Sequence, residues 1–531
     1  TIQIIDSSKS DPILEAADYY LERRLEGKRG IGQDAPTGFV QEARWKRIVF
    51  DPNGRLKTKS WVLCLTDKLR TAFRQGSLEI EGARQYRSLN SDLIPWPEWK
   101  SMEIKENLEL PFTYSAEKIF NALSDSIKAL CGGFNSLLNL DSPPAQIDKK
   151  NRLHLTKLEK QEVPESVKAL KKQLHQRMPR VSLPEILAQV DKFVGYSAYF
   201  TRLSSGDSIQ LEGAASPSFY ALILASACNI SLTKMAGNPG LNVSLLENLR
   251  EDILRPQTIQ PAIASLVEFY SRLPLAQIWG EGGTSSSDGQ GFAAAGHPLG
   301  AVYHRQRFRR RRRGFIVYTH ILDNYAPFYT QVIPASAREA IYVLDGLLYH
   351  ALSLMPREHY TDSHGYTDIV FALTYLLGFR LAPRMARFPD LTLWYGKGYE
   401  VEFRELFHGR ITLESIASQW EAIQRICATI QNGRTRASQI IRKVSAFNRK
   451  HSLFKGLRNF GRLVRTRHIL EIAGDKEYRK RILQGNNKGE SRNALAKDLR
   501  YARQGVIREK DPDMRLCVVS AINLMILSLA I

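Results

Sequence analysis

The chain has 531 residues, 43% of them hydrophobic, which exceeds what one core usually serves and is enough for two to four folded domains. Its 75 Lys and Arg against 54 Asp and Glu leave a net charge of +21, which favours a polyanionic partner, nucleic acid first, over a basic but otherwise ordinary enzyme. Five cysteines, Cys64, Cys131, Cys228, Cys427 and Cys517, are widely spaced with no Cys-x-x-Cys pair; this argues against a disulfide framework or a zinc site and suits a reducing cytosol.

In chain order, Ile13, Leu14, Ala17, Tyr20 and Leu21 mark one face of a first helix. A turn signal at Asp51-Pro-Asn-Gly54 precedes an amphipathic helix over Trp61 to Phe73 and a short strand at Leu78 to Ile80. The cluster Arg84, Tyr86, Arg87 has the composition of a backbone grip, or of a solvated loop with one packed tyrosine. Residues 105 to 180 read as an interdomain connection: a helix near Ser115 to Leu130, a loop from Cys131 to Ala145 and a charged stretch. Residues 183 to 272 are mostly helical, and nothing in them has catalytic spacing.

Beyond Pro274 the pattern changes to β-like runs at Leu275 to Trp279, Phe315 to Thr319 and Phe328 to Ile333, followed by a helix over Ala337 to His350. A further strand runs into Asp362, and an apolar helix spans Thr367 to Phe379. Four helices are expected next, over Thr412 to Ile430, Ala437 to Phe447, Leu453 to Leu470 and Lys476 to Leu483. The apolar stretch Leu516 to Ile531 is short for a bilayer and reads as a core helix, so no membrane partner is expected.

Three acidic stretches carry the candidate chemistry: Trp279 to Gln290 around Asp288, Glu358 to Gly365 around Asp362, and Asn487 to Ala496 around Glu490. Magnesium is a hard ion that takes one or two carboxylates with a substrate phosphate, and two such ions can serve both oxygens of an in-line displacement. Asp288 is expected as the bridging ligand, with Asp362 and Glu490 each completing one metal. Singly, each has a plainer meaning: a turn at Asp288-Gly289, a helix N-cap at Asp362, and a helix-dipole contact for Glu490 early in a helix. The gap between Asp362 and Glu490 is too long for one crossover, so a largely α insertion is expected there. Between Arg434 and His468 there are eleven Lys or Arg and no Asp or Glu, which points to a DNA backbone. The expected contacts are Arg434, Arg436, Arg442, Lys443, Arg449, Lys450, Lys455, Arg458 and Arg462, with Lys488 and Arg492.

The runs Leu273 to Gly280 and Thr284 to Gln290, Tyr318 to Phe328, Val343 to His350, Glu358 to Asp362, Leu376 to Arg384 and Asn487 to Ala496 together resemble the transposase of the Tn-three family of bacterial replicative transposons. Weaker similarity extends upstream through Pro179 to Pro184, Asn229 to Met235 and Gly82 to Arg87. The resemblance implies a DDE transposase whose triad is Asp288, Asp362 and Glu490, which cleaves transposon ends and joins the freed 3′ hydroxyls to target DNA. It implies two Mg2+ ions, with Mn2+ able to substitute, a homodimer on DNA, and a bacterial, nucleoid-associated cytoplasmic location. Family members are much longer, so the chain is expected to be a C-terminal part, truncated at both ends and without the region that reads the inverted repeats. The run Arg305 to Arg313 is more basic than the family's usual segment.

The expected fold class is α+β or α/β, a ribonuclease-H-like catalytic core with a large α-helical insertion, preceded by mostly helical domains. The expected divisions are an N-terminal helical segment (1–104), a helical scaffold (105–272), the first part of the catalytic domain (273–385), the basic insertion (386–485) and the closing part (486–531). Two alternatives are an inactive DNA-binding remnant or inhibitor of full-length transposase, and a metal nuclease built on Asp362 with His359 and His364.

Overall fold

The computed structural model describes residues 4–6, 12–75, 78–80, 87–159, 162–209, 215–305, 308 and 312–531. Arg84 and Tyr86 of the expected basic cluster, and most of the Arg305 to Arg313 run, lie outside them. Two compact units form: residues 1–106 with 414–459, and residues 107–413 with 460–531.

In the smaller unit, helices Pro12–Leu25 and Thr58–Gln75 close around Trp61, whose indole N–H donates to the Pro36 carbonyl at 2.9 Å. Helices Trp420–Gln431 and Ala437–Ala446 bury their apolar faces in the same unit, and the buried Arg425 donates through Nε to the Ile94 carbonyl at 2.6 Å. The larger unit is built on a six-stranded sheet with strands β1 (Thr284–Ala293), β2 (Val302–Tyr303), β3 (Arg313–Leu322), β4 (Pro327–Pro334), β5 (Glu358–Thr361) and β6 (Arg380–Pro383). The order is β6-β5-β1-β3-β4, and β2 pairs with the start of β3. The β1–β3 and β3–β4 pairs are antiparallel, whereas β1–β5 and β5–β6 are parallel.

This pairing follows from composition and connection length. Phe315, Ile316, Val317, Tyr318, Thr319 and Ile321 make β3 β-branched or aromatic along its length, as suits a central strand buried on both faces. A short turn joins β3 to β4, so they pair antiparallel. The parallel pair β5–β6 needs a crossover, supplied by helix α2 (Asp368–Leu376), whose N-cap Thr367 accepts from the Val370 amide. On the sheet lie α1 (Pro256–Ser271), α3 (Lys476–Leu499) and α4 (Pro512–Ala530). α4 is long and apolar enough to cross a membrane, yet it is mostly buried and packs on α1 and β4, as expected of a core helix. All five cysteines are buried and unlinked.

Several expected elements differ. Leu275 to Trp279 is not a strand: Pro274 opens a helical turn, Pro274–Gln277. The expected loop after Leu130 is helical as far as Leu138, because Ile119, Leu123, Ile127, Cys131 and Phe134 continue one buried face through Gly132 and Gly133. Residues 386 to 413 are not helical throughout, since aromatic Leu393–Gly396 pairs in parallel with Phe407–Ile411.

Candidate active site

Asp288 is neither in a turn nor at a strand end. It is the fifth residue of β1, opposite Thr319 of β3, because β1 gains ladder partners on both sides. Asp362 directly follows β5, the parallel neighbour of β1, with Ser286 in register with Tyr360. It caps no helix: its Oδ1 accepts from the His364 amide at 2.9 Å and its Oδ2 lies 3.1 Å from His364 Nδ1. Glu490 is exposed, in the second half of the 24-residue α3 and not early in it, too far from the N-terminus for a dipole role.

Small residues let α3 lie against the acidic strands. A Cβ on Gly485 would come 2.2 Å from the Tyr360 ring of β5, and one on Gly489, a turn later, 3.2 Å from the Asp288 Cβ. Side chains then stitch the helix down. Asn486 Nδ2 donates to the Thr361 carbonyl at 3.1 Å, Asn493 Nδ2 donates to Asp288 Oδ2 at 2.8 Å, and Gln290 Nε2 donates to the Asn493 carbonyl at 2.8 Å. Gly485→Ala should therefore cost about 1–3 kcal/mol, the usual range for overpacking; a urea-unfolding midpoint unchanged from the parent would contradict this close packing.

The electrostatics record which acids share the space. Burial, and then the negative charges of Glu339, Asp362 and Glu490, raise the Asp288 carboxyl to a pKa of about 6, against the lowering effect of the Gly289 amide at 2.8 Å. Glu339 was not anticipated from the sequence. It is buried, and its carboxylate would lie within 2.8 Å of a Cβ on Gly289. Among the described residues, no group of three or more His, Cys, Asp or Glu side chains is arranged to hold a metal ion as it stands.

His359 does not join Asp362. Its ring is fully buried, with Nδ1 2.8 Å from Ser285 Oγ and Nε2 2.7 Å from Ser287 Oγ, so a site made only of Asp362, His359 and His364 has no geometric basis. Arg492, expected on DNA, is only 3% exposed. Its guanidinium is spent on Asn523 Oδ1, on Gln290 Oε1 at 3.2 Å and on Asn493 Oδ1 at 3.0 Å, which leaves no surface for a backbone. Lys488, expected there too, turns its ammonium onto the carbonyls of Trp279 and Asp323.

The basic run is also partly neutralised from within. Arg434 pairs with Glu98 at 3.0 Å and Lys443 with Asp92, both in the smaller unit. In the larger unit Arg462 and Arg465 pair with Asp368, and Arg467 with Glu471. Arg436, Arg442, Arg449, Lys450 and Lys455 are exposed, while Arg458 is half-buried with its guanidinium 5.4 Å from the Phe454 ring centroid.

Fold and site define an α/β domain with an acidic centre where two parallel strands meet a covering helix. A family model described as the Tn3 transposase DDE domain matches residues 185–531, and the chain belongs to that family. It is 34% identical to the transposase for transposon Tn501 of Pseudomonas aeruginosa and 34% identical to that for Tn21 of Escherichia coli, in each case over 97% of this chain and 51% of the relative. It is 32% identical to the transposase for Tn1546 of Enterococcus faecium, over 100% of this chain and 53% of the relative. The chain spans about half the length of the curated relatives it matches.

Proposed function

We propose that this chain is the catalytic portion of a DNA transposase, which cuts transposon ends and transfers the 3′ hydroxyls into target DNA in replicative transposition. The observation that carries this reading is the docking of α3, which bears Glu490, onto both acidic strands: Gly489 packs on Asp288 of β1, and Asn486 donates to the Thr361 carbonyl beside Asp362. Three antiparallel strands continued by two parallel ones, in the order β6-β5-β1-β3-β4, support a ribonuclease-H-like core.

The donor set fits divalent metal. All its side chains offer hard oxygen, and a divalent cation would relieve the cost of charging Asp288, which burial first, and then the neighbouring acids, raise to a pKa of about 6. Asp288, Asp362 and Glu490 would hold Mg2+, or Mn2+ in its place; when bound it supplies the positive charge that the reacting phosphate needs. The chain's own residues set the geometry. Asn493 fixes one carboxylate oxygen of Asp288, the Gly289 amide fixes the other, and Arg492 holds Asn493 and Gln290 in place. Water is the nucleophile for nicking and the DNA 3′ hydroxyl for strand transfer, both at phosphorus without a covalent protein intermediate. DNA is held along the exposed Arg436, Arg442, Arg449, Lys450 and Lys455, with two copies of the chain serving two ends.

The test is cleavage and strand transfer on pre-nicked transposon-end DNA with Mg2+ or Mn2+. Asp288→Ala and Glu490→Gln should each lower the rate by at least about 10²–10³-fold, the scale for removing one electrostatic contributor. Either variant working at the parental rate would sink the triad. Replacing Arg449, Lys450 and Lys455 together with alanine should flatten the salt dependence of DNA binding by a log–log slope of about 2–3, near 0.9 per lost phosphate contact. An unchanged slope would remove this segment from the interface.

A further inference from the structure

We propose that Trp279 and Tyr325 form a stacking platform for one unpaired DNA base beside the acidic centre. This inference rests on the phosphoryl-transfer reading above and adds what the site does to the duplex next to the scissile phosphate. Trp279 is 59% exposed, unusual for the largest apolar side chain, and Ile278 before it is exposed as well. The indole meets the Tyr325 ring edge-on, with centroids 5.7 Å apart, and Tyr325 holds a left-handed φ of 72°, a conformation that costs energy outside glycine and gathers at functional sites.

The platform is built rather than incidental. Asp323, two residues before Tyr325, accepts from the Gly282 amide at 2.8 Å and the Thr284 amide at 3.1 Å, and its side chain fills the space a Cβ on Gly280 would need. The Trp279 loop and the Tyr325 turn are thus locked together and lead straight into β1. Lys488 ties both to α3: its ammonium reaches the Trp279 and Asp323 carbonyls and lies 5.3 Å from the Tyr325 ring centroid. Lys488 is two residues from Glu490, so the platform is indexed to the acidic centre.

Against Trp279 lies a cavity of about 230 Å³, walled also by Ser286, Asp323, Tyr360, Arg481 and Lys488. Ser286 is two residues from Asp288 and 3% exposed, and its hydroxyl has no hydrogen-bond partner among the described residues. An aromatic face, a polar group without a partner and the exposed Arg481 at the rim are the recognition set for a nucleotide taken out of its stack: ring on ring, hydrogen bond to a base edge, positive charge for the phosphate. A paired base cannot use it, because both of its faces and its edge are already occupied in the duplex.

The test uses the whole chain with transposon-end duplexes carrying 2-aminopurine at successive positions around the nick, in Ca2+ so that binding is read without cleavage. The parent and Trp279→Phe should change the fluorescence at one or two adjacent positions and bind a frayed end more tightly than a paired one. Trp279→Ala should lose the fluorescence change and weaken binding to the frayed end by roughly five-fold or more, the loss of one base–aromatic stack, while leaving the paired end unaffected. As Trp279 is exposed, its truncation leaves the core intact. Trp279→Ala matching the parent on frayed ends, or equal affinity of the parent for frayed and paired ends, would overturn the platform. Asp288→Ala separates the two readings, since it should keep the fluorescence change while losing cleavage.

Discussion

Arg492→Ala is expected to destabilise the larger unit by about 3–5 kcal/mol and to abolish the strand transfer proposed for this site. The arginine is buried on α3, and burial pulls its pKa down to about 10, still charged at neutral pH. Three amide side chains accept from it: Asn523 on α4, Gln290 on β1 and Asn493 on its own helix. Removing it leaves the buried Asn523 oxygen without its donor, at about 1–3 kcal/mol, takes a donor from the half-buried Gln290 and Asn493, and adds a cavity. The consequence reaches the chemistry because Asn493 also donates to Asp288. Arg492→Met matches length and volume but not hydrogen bonding, so it should recover the cavity part of the loss and little of the activity. The check is urea unfolding beside the strand-transfer assay; a loss under about 1 kcal/mol would mean that α4, β1 and α3 hold together without this network.

What the sequence made legible was what local pattern controls. β3 and β4 read as strands because β-branched and aromatic residues fill them, and the strand entering Asp362 was visible for the same reason. Taken singly, Asp288 had a plainer reading as a turn, since Ser-Ser-Ser-Asp-Gly-Gln-Gly has poor strand propensity and Asp-Gly is a turn signal. It lies in a strand only because β3 pairs with it, with β5 holding Thr284 to Ser286 on the other side, which is a tertiary fact. The basic run was legible only in part. Its neutralising acids, Asp92, Glu98 and Asp368, lie far away in sequence, so a window of one sign was not a surface of one sign. Arg492 was misjudged because a helical charge two residues from Glu490 carries no local mark of burial. Gly485 and Gly489 were in view as residues, but their use, clearance for Tyr360 and Asp288, exists only once the helix has docked.

Acidification should destabilise the larger unit by at least about 3 kcal/mol between pH 7 and pH 5. His320, His359 and His468 are buried, and burial lowers the pKa of all three: His320 to about 3, His468 to about 4, and His359 well below the ordinary value. A lowered histidine pKa means that the unfolded chain binds protons the folded chain refuses. Stability is therefore full above the unfolded pKa of about 6.5 and falls as pH drops towards the folded value. At pH 5 the loss is about 2 kcal/mol each for His320 and His468, and His359 acts in the same direction. Asp288 opposes them: its raised pKa of about 6 makes the folded state the better proton acceptor from there down to about 4, returning about 1 kcal/mol. The balance favours the histidines, so the thermal midpoint should fall steadily from pH 7 to pH 5. His468→Gln can place an amide donor where Nε2 now approaches the Pro383 carbonyl at 3.1 Å and removes the titration, so it should recover about 2 kcal/mol of the pH-dependent loss. A midpoint that stays flat over this range, in the parent as in the variant, would mean that these rings take up protons in the folded state, by opening of the strand and helix contacts that enclose them.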